Sequence, residues 1–203
     1  MTDLTKRLEE AASAIDAGPL AEAKSAIIEG CEEWLRLAHL LSDRLEAVAP
    51  EDLHKFARAL ALTMLGQLPT RPGTCPFCIQ YGKDRSCGGC GYALTHGRCD
   101  SDDSAFSLFI EAFQALGKEI YQDLEGPEVD PLEARKALTQ TLCASSHRTK
   151  KMLSDLPSAS ALDLMALKSL YLDEMIYIIP WRLFSSRVEE RAREVRERLK
   201  MYW

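Results

Sequence analysis

Between Cys75 and Cys99 the chain reads CPFCIQYGKDRSCGGCGYALTHGRC, and five of its seven cysteines fall inside this one stretch. Their order is C-x2-C-x8-C-x2-C-x8-C. Helical periodicity surrounds the stretch on both sides, so any fold must seat a thiol-dense segment between two helical parts. Residues 68–103 hold Pro69, Pro72 and Pro76, six glycines and few aliphatic side chains. A piece of that composition buries too little apolar surface to offset its own ordering entropy by packing alone.

Two cysteines at C-x2-C spacing lie on the inside of a tight turn, where both sulfurs reach one ion. A second such pair completes a tetrahedron of thiolates, the arrangement structural zinc favours. Cys87-Gly88-Gly89-Cys90-Gly91-Tyr92 has glycines within and just after the second turn, where amides must point at sulfur and positive φ is often needed. Pro76 fixes φ early in the first turn.

In these features residues 75–99 resemble the paired zinc knuckles of zinc ribbons and treble-clef-like modules; the resemblance covers this stretch alone. It implies Zn2+ held by four cysteines, which supplies about 10–16 kcal/mol of apparent binding free energy in small peptides. The expected ligands are Cys75, Cys78, Cys87 and Cys90. Cys99, with His96 three residues before it, is a fifth thiol that rivals one of the four. An iron–sulfur cluster also takes four thiolates, and spacing alone does not separate it from zinc.

Clustered cysteines also occur as disulfides in small secreted proteins. Here Met1 leads straight into charged residues with no signal peptide, so a reducing cytoplasm is the expected compartment. Cys75-Pro76-Phe77-Cys78 has the spacing of a glutaredoxin-type redox pair. That chemistry needs the motif at the end of a buried strand, opening a helix, and residues 67–74 read as loop.

Along the rest of the chain the apolar positions recur at three and four. Leu4, Leu8, Ala11 and Ile15 mark a first helix that Ala17-Gly18-Pro19 should stop, and a long helix follows to about Val48. Cys31 sits on its apolar face and reads as a small core residue. Pro50 opens the next helix. Its Glu51-x-x-His54 matches one element of carboxylate-bridged di-iron bundles, but no second Glu-x-x-His exists, so surface charge is the better reading. Phe106, Phe109, Ile110, Phe113, Ile120 and Tyr121 form an aromatic stripe from Ser104 onward, which reads as core with the metal module against its first turns. Asp130-Pro131-Leu132-Glu133 and Ser160-Ala161-Leu162-Asp163 are helix starts. Cys143, Ser145, Ser146 and His147 crowd one helix without an acidic orienter, and Cys143 reads as packing. Val188, Ala192, Val195, Leu199 and Tyr202 form a heptad seam, fit either for a homodimer through the C-terminal helix or for a helix lying along its own bundle.

The expected fold is all-α: six or seven helices in a bundle with a small Cys-rich insert. The parts are residues 1–67, 68–103 and 104–203, packed as one unit. A net charge of −6 argues against broad attraction to nucleic acid, and no apolar run is long enough to span a membrane.

Three functions compete. The favoured one is a non-catalytic zinc protein acting as a binding, scaffold or regulatory module toward a protein partner. Neither a phosphate-cradling glycine loop nor a nucleophile with its base is present. The second is an iron–sulfur or thiol-based redox sensor. The weakest is nucleic-acid binding through Lys83, Arg85 and Arg98, which Asp84, Asp100, Asp102 and Asp103 offset.

Overall fold

The computed structural model describes residues 3–82, 87 and 90–202, without the side chains of residues 3, 4, 94, 95 and 202. Lys83 and Arg85 therefore lie outside the described residues. Among those described there is no strand. The helices are α1 (Asp3–Ser13), α2 (Ala17–Leu45), α3 (Leu53–Gly66), α4 (Pro76–Tyr81), α5 (Ala93–His96), α6 (Ala105–Gln122), α7 (Pro131–Asp155), α8 (Ala161–Ile178) and α9 (Ser186–Tyr202). Among the described residues eight of them have six residues or more, and α5 is a single turn of four. The expected count of six or seven is too low because the cysteine stretch is itself partly helical. Pro76 opens α4 with its φ already set, and that segment continues for six residues.

The helix starts follow the side chains that satisfy first-turn amides. Ser104 accepts from the Ser107 amide at 3.1 Å, and Asp130 from the Glu133 amide at 3.0 Å ahead of Pro131. Ser160 and Asp163 form a complete capping box. The stop expected at Ala17-Gly18-Pro19 is instead the first turn of α2. Pro19 falls where the amide has no partner within the helix, so the missing donor costs nothing.

α6 lies chiefly along α9, α2 along α7, and α7 along α8, with α3 against α6 and α7. Trp34, Leu60, Leu116, Ile120, Leu138, Leu164 and Ile176 meet in the centre, all fully enclosed. The heptad seam of α9 belongs to this core. Val188, Ala192, Val195 and Leu199 are each 2% exposed or less, closed over by the chain's own helices. The seam is thus an internal interface, and the ground it offered for a homodimer is gone.

His54 also departs from expectation. Its Nδ1 lies 2.9 Å from the Leu183 carbonyl oxygen and its Nε2 2.7 Å from that of Asp123. It bridges α3 to the loop after α6 and the turn before α9, rather than serving as surface charge. No helix among the described residues is long and apolar enough to cross a membrane.

The cysteine stretch rests on the bundle from several sides. The turn at 72–74 and α4 pack against α2, while α1 packs against α5 and α8. A second apolar cluster, separate from the main core, forms there.

Candidate functional site

This second cluster is built from Cys75, Phe77, Cys90, Tyr92 and, reaching across from α8, Met165. Cys78, Cys87, Ala105 and Phe106 border it, and α1 covers it with Leu8, Ala11 and Ala12, joined by Ile15 just beyond the helix. The first turn of α6 thus touches the module where the aromatic stripe begins. Phe77 and Tyr92 pack ring to ring at 5.4 Å, and the His96 ring stacks on Tyr92 at 4.2 Å, nearly parallel. Burial holds His96 below the ordinary histidine value, opposed by its hydrogen bond to the Tyr92 carbonyl.

Two glycines set the shape. Gly91 is buried so tightly under α1 that a Cβ there would sit 1.8 Å from the Ala11 Cβ. Gly97 has φ +78°, a left-handed conformation that returns the chain from α5 toward Cys99. Cys87 also has positive φ, +42°, at the corner before Cys90.

The cysteines carry no disulfide, and those of the stretch come together. The Cys75 and Cys78 thiols act on one another, and so do those of Cys78 and Cys99. Cys78 and burial push the Cys75 thiol well up. At Cys78 the influence of Cys75 works downward, but that of Cys99 and burial outweigh it and push the thiol up to about 12. Cys78 holds Cys99 below the ordinary cysteine value. Cys90 is raised by burial, against which the Ala93 and Tyr92 amides aim at its sulfur. The Cys78 amide aims likewise at the Cys75 sulfur. Amides directed at sulfur favour the thiolate and are part of what a metal ligand needs.

Cys87 borders the cluster, its carbonyl accepts the Cys90 amide at 3.0 Å, and its charge acts on Cys90 and Cys99. Among the described residues no group of three or more His, Cys, Asp or Glu side chains is arranged to hold an ion.

One residue here was missed in the sequence. Lys168 of α8 is 4% exposed, and its Nζ donates to the Thr74 carbonyl oxygen at 3.3 Å. Burial lowers its affinity for the proton, and the Cys75, Cys78 and Cys99 sulfurs oppose that. The signal was present: Leu164, Lys168 and Leu172 recur every four residues on one apolar face, and a lysine in that row is out of pattern.

Comparison with family models, with curated proteins and with solved structures finds no match to this chain.

The remaining cysteines lie elsewhere. Cys31 is buried in α2, and burial pushes it up to about 11 against a hydrogen bond with Tyr171. Cys143 is exposed, which corrects its reading as packing. It lines an open groove of about 530 Å³ with His39, Ser42, Ser146, His147 and Lys150. Arg98 is paired with Asp100 through both arms, at 3.0 and 2.7 Å.

Proposed function

We propose that this chain is a non-catalytic metal–thiolate protein in which Zn2+ fastens the 68–103 segment to the helical bundle. The finished surface then acts as a binding, scaffold or regulatory module toward a protein partner. The observation that carries this reading is the convergence of Cys75, Cys78, Cys87 and Cys90 on one small cluster, with Cys99 acting on Cys78 beside it and backbone amides aimed at two of the sulfurs. Thiols gathered in one cluster need only lose protons and turn inward to close on an ion. A bound divalent cation drives that loss outright. The thiol contacts favour Cys99 over Cys87 as fourth ligand.

The test is elemental analysis of protein purified without oxygen. One zinc per chain in a colourless sample is the expected result. No metal at all overturns the reading, and a brown sample absorbing near about 400 nm replaces zinc with an iron–sulfur cluster.

The mutual influence of the Cys78 and Cys99 thiols favours a second reading, a thiol sensor. In it the two thiols lose two electrons and two protons to a peroxide, giving one disulfide and two waters. Peptide mapping after peroxide, with Cys78 linked to Cys99 and the link reversed by a dithiol, distinguishes it. The pairing of Arg98 with Asp100 weighs against a nucleic-acid surface here. We take the compartment to be the cytoplasm, where thiols stay available as metal ligands.

A further inference from the structure

A neutral imidazole has one N–H to give and one lone pair with which to accept. His54 faces two groups that can only accept. Its Nδ1 lies 2.9 Å from the Leu183 carbonyl oxygen and its Nε2 2.7 Å from that of Asp123. Both are ordinary hydrogen-bond distances. Only the doubly protonated ring donates to both. In either neutral tautomer one nitrogen turns a lone pair on a carbonyl oxygen at contact distance, and a part-buried acceptor loses its donor.

The surroundings favour the cation. The Asp123 side chain is 6% exposed, and its Oδ2 stands 3.5 Å from Nε2. The ring meets the end of α6, where the last carbonyls carry the negative end of the helix dipole. Arg58, one turn further along α3, donates to two of these, Ile120 and Tyr121. Glu51 and Glu128 line the same recess as the ring. Against the carboxylates stand the charge of Arg58 and the part burial of the ring. Arg182 and Arg187, beside the turn that supplies Leu183, are paired with Glu133 and Glu119. The ring has little room to swing. A Cβ at Gly126 would meet Nδ1 at 2.3 Å, and the Phe184 ring packs edge-on at 5.9 Å.

Leu183 ends the turn that leads toward α9, and the Asp123 carboxylate accepts the Ser185 amide at 3.2 Å, just ahead of the first residue of α9. The start of α3, the end of α6 and the approach to α9 therefore meet on one side chain. We propose that His54 is a proton-dependent latch on α9: with a proton on both ring nitrogens it holds the Leu183 and Asp123 carbonyls together, and loss of one proton frees one of them. The seat of α9 on α6 tightens as pH falls and loosens as pH rises. Because the folded state favours the protonated ring, the latch contributes fully below the ordinary histidine value of about 6.5, and its contribution is lost as pH climbs above that.

Nitrogen-15 NMR of full-length protein labelled at histidine follows the proton on each ring nitrogen, with resonances assigned by through-bond correlation. At the pH where His147, exposed on α7, is half deprotonated, His54 should still be at least about nine-tenths doubly protonated. In urea titrations the ratio of wild-type to H54Q folding constants should be at least about fivefold larger at about pH 5.5 than at about pH 8. His54 losing its second proton together with His147 overturns the proposal, as does a ratio that does not change with pH. Should H54Q fail to fold, H54N is read against the same ratio, and the NMR comparison needs no variant.

Discussion

Arg196 meets Asp173 with both arms of its guanidinium, Nε 2.8 Å from Oδ1 and Nη2 3.1 Å from Oδ2. The same group lies 4.8 Å from the centre of the Tyr177 ring. This contact joins α9 to α8 and fixes the rotation of α9 about its own axis. With that rotation fixed, Val188, Ala192, Val195 and Leu199 face inward and the arginines and glutamates between them face water.

Leu199 is 1% exposed, so Leu199→Ala should lower the unfolding free energy by about 2–5 kcal/mol in urea titrations. Arg196→Ala should cost about 1 kcal/mol or less, because its ion pair is only partly shielded from water. Neither should move the elution volume on a sizing column. A shift to a smaller species on Leu199→Ala, in protein that remains folded, would restore the seam as a subunit interface.

The helices were legible in the sequence because the apolar faces repeat at three and four and the starts of α6, α7 and α8 are marked by side chains that cap them. Ser104, Asp130 and Ser160 all cap where the pattern begins. The destination of a face was not legible. A seam such as Val188–Leu199 has the same spacing whether it meets another chain or α6, and only the arrangement of the other helices decides. Ala17-Gly18-Pro19 misled for a related reason: proline is tolerated in a first turn and disruptive in a last one, and the residues alone do not say which turn they occupy. The cysteines were found from their spacing. The lysine beside them was hidden because an isolated cation on an apolar stripe is easily assigned to solvent, and the partner that draws it inward lies about ninety residues earlier in the chain.

Cys31 and Cys143 make a matched pair of controls for thiol chemistry. Cys143 should alkylate at once in native protein, whereas Cys31 should react only on global unfolding, since it is 2% exposed. Its thiol keeps its proton up to about 11 in the fold against an ordinary 9.0. The stability this contributes is fully present below pH 9 and is lost as pH climbs through the folded value. Mass-resolved labelling over time reads both rates. Labelling of Cys31 as fast as Cys143 would mean that α2 opens locally without the rest.

The ligand set is open to direct substitution. Cys99 acts directly on the Cys78 thiol, whereas Cys87 borders the cluster and acts on Cys90 and Cys99 through its charge. Cys99→Ser should therefore reduce bound zinc sharply, and Cys87→Ser should leave most of it. The opposite ranking in elemental analysis would return the site to Cys75, Cys78, Cys87 and Cys90, as the paired spacing implies.

Metal removal should melt one end of the molecule and spare the rest. The cluster around Cys75, Phe77, Cys90 and Tyr92 is separate from the main core, so losing it leaves α2, α3 and α6–α9 with their packing intact. α1 depends on the cluster: its eleven residues are too few for a stable isolated helix, and Leu8, Ala11, Ala12 and Ile15 have their apolar contacts there. Gly91 lies directly beneath Ala11, so any shift of the second cysteine turn is felt at once in α1. Chelation should therefore remove a small part of the far-UV helical signal, and trypsin should then cut at Lys6, Arg7 and Arg98. Gly91→Ala should expose Lys6 and Arg7 to trypsin even with metal present, because the added Cβ pushes α1 off its seat. Loss of most of the helical signal on chelation would show instead that the two cores fold as one, with the metal joining them.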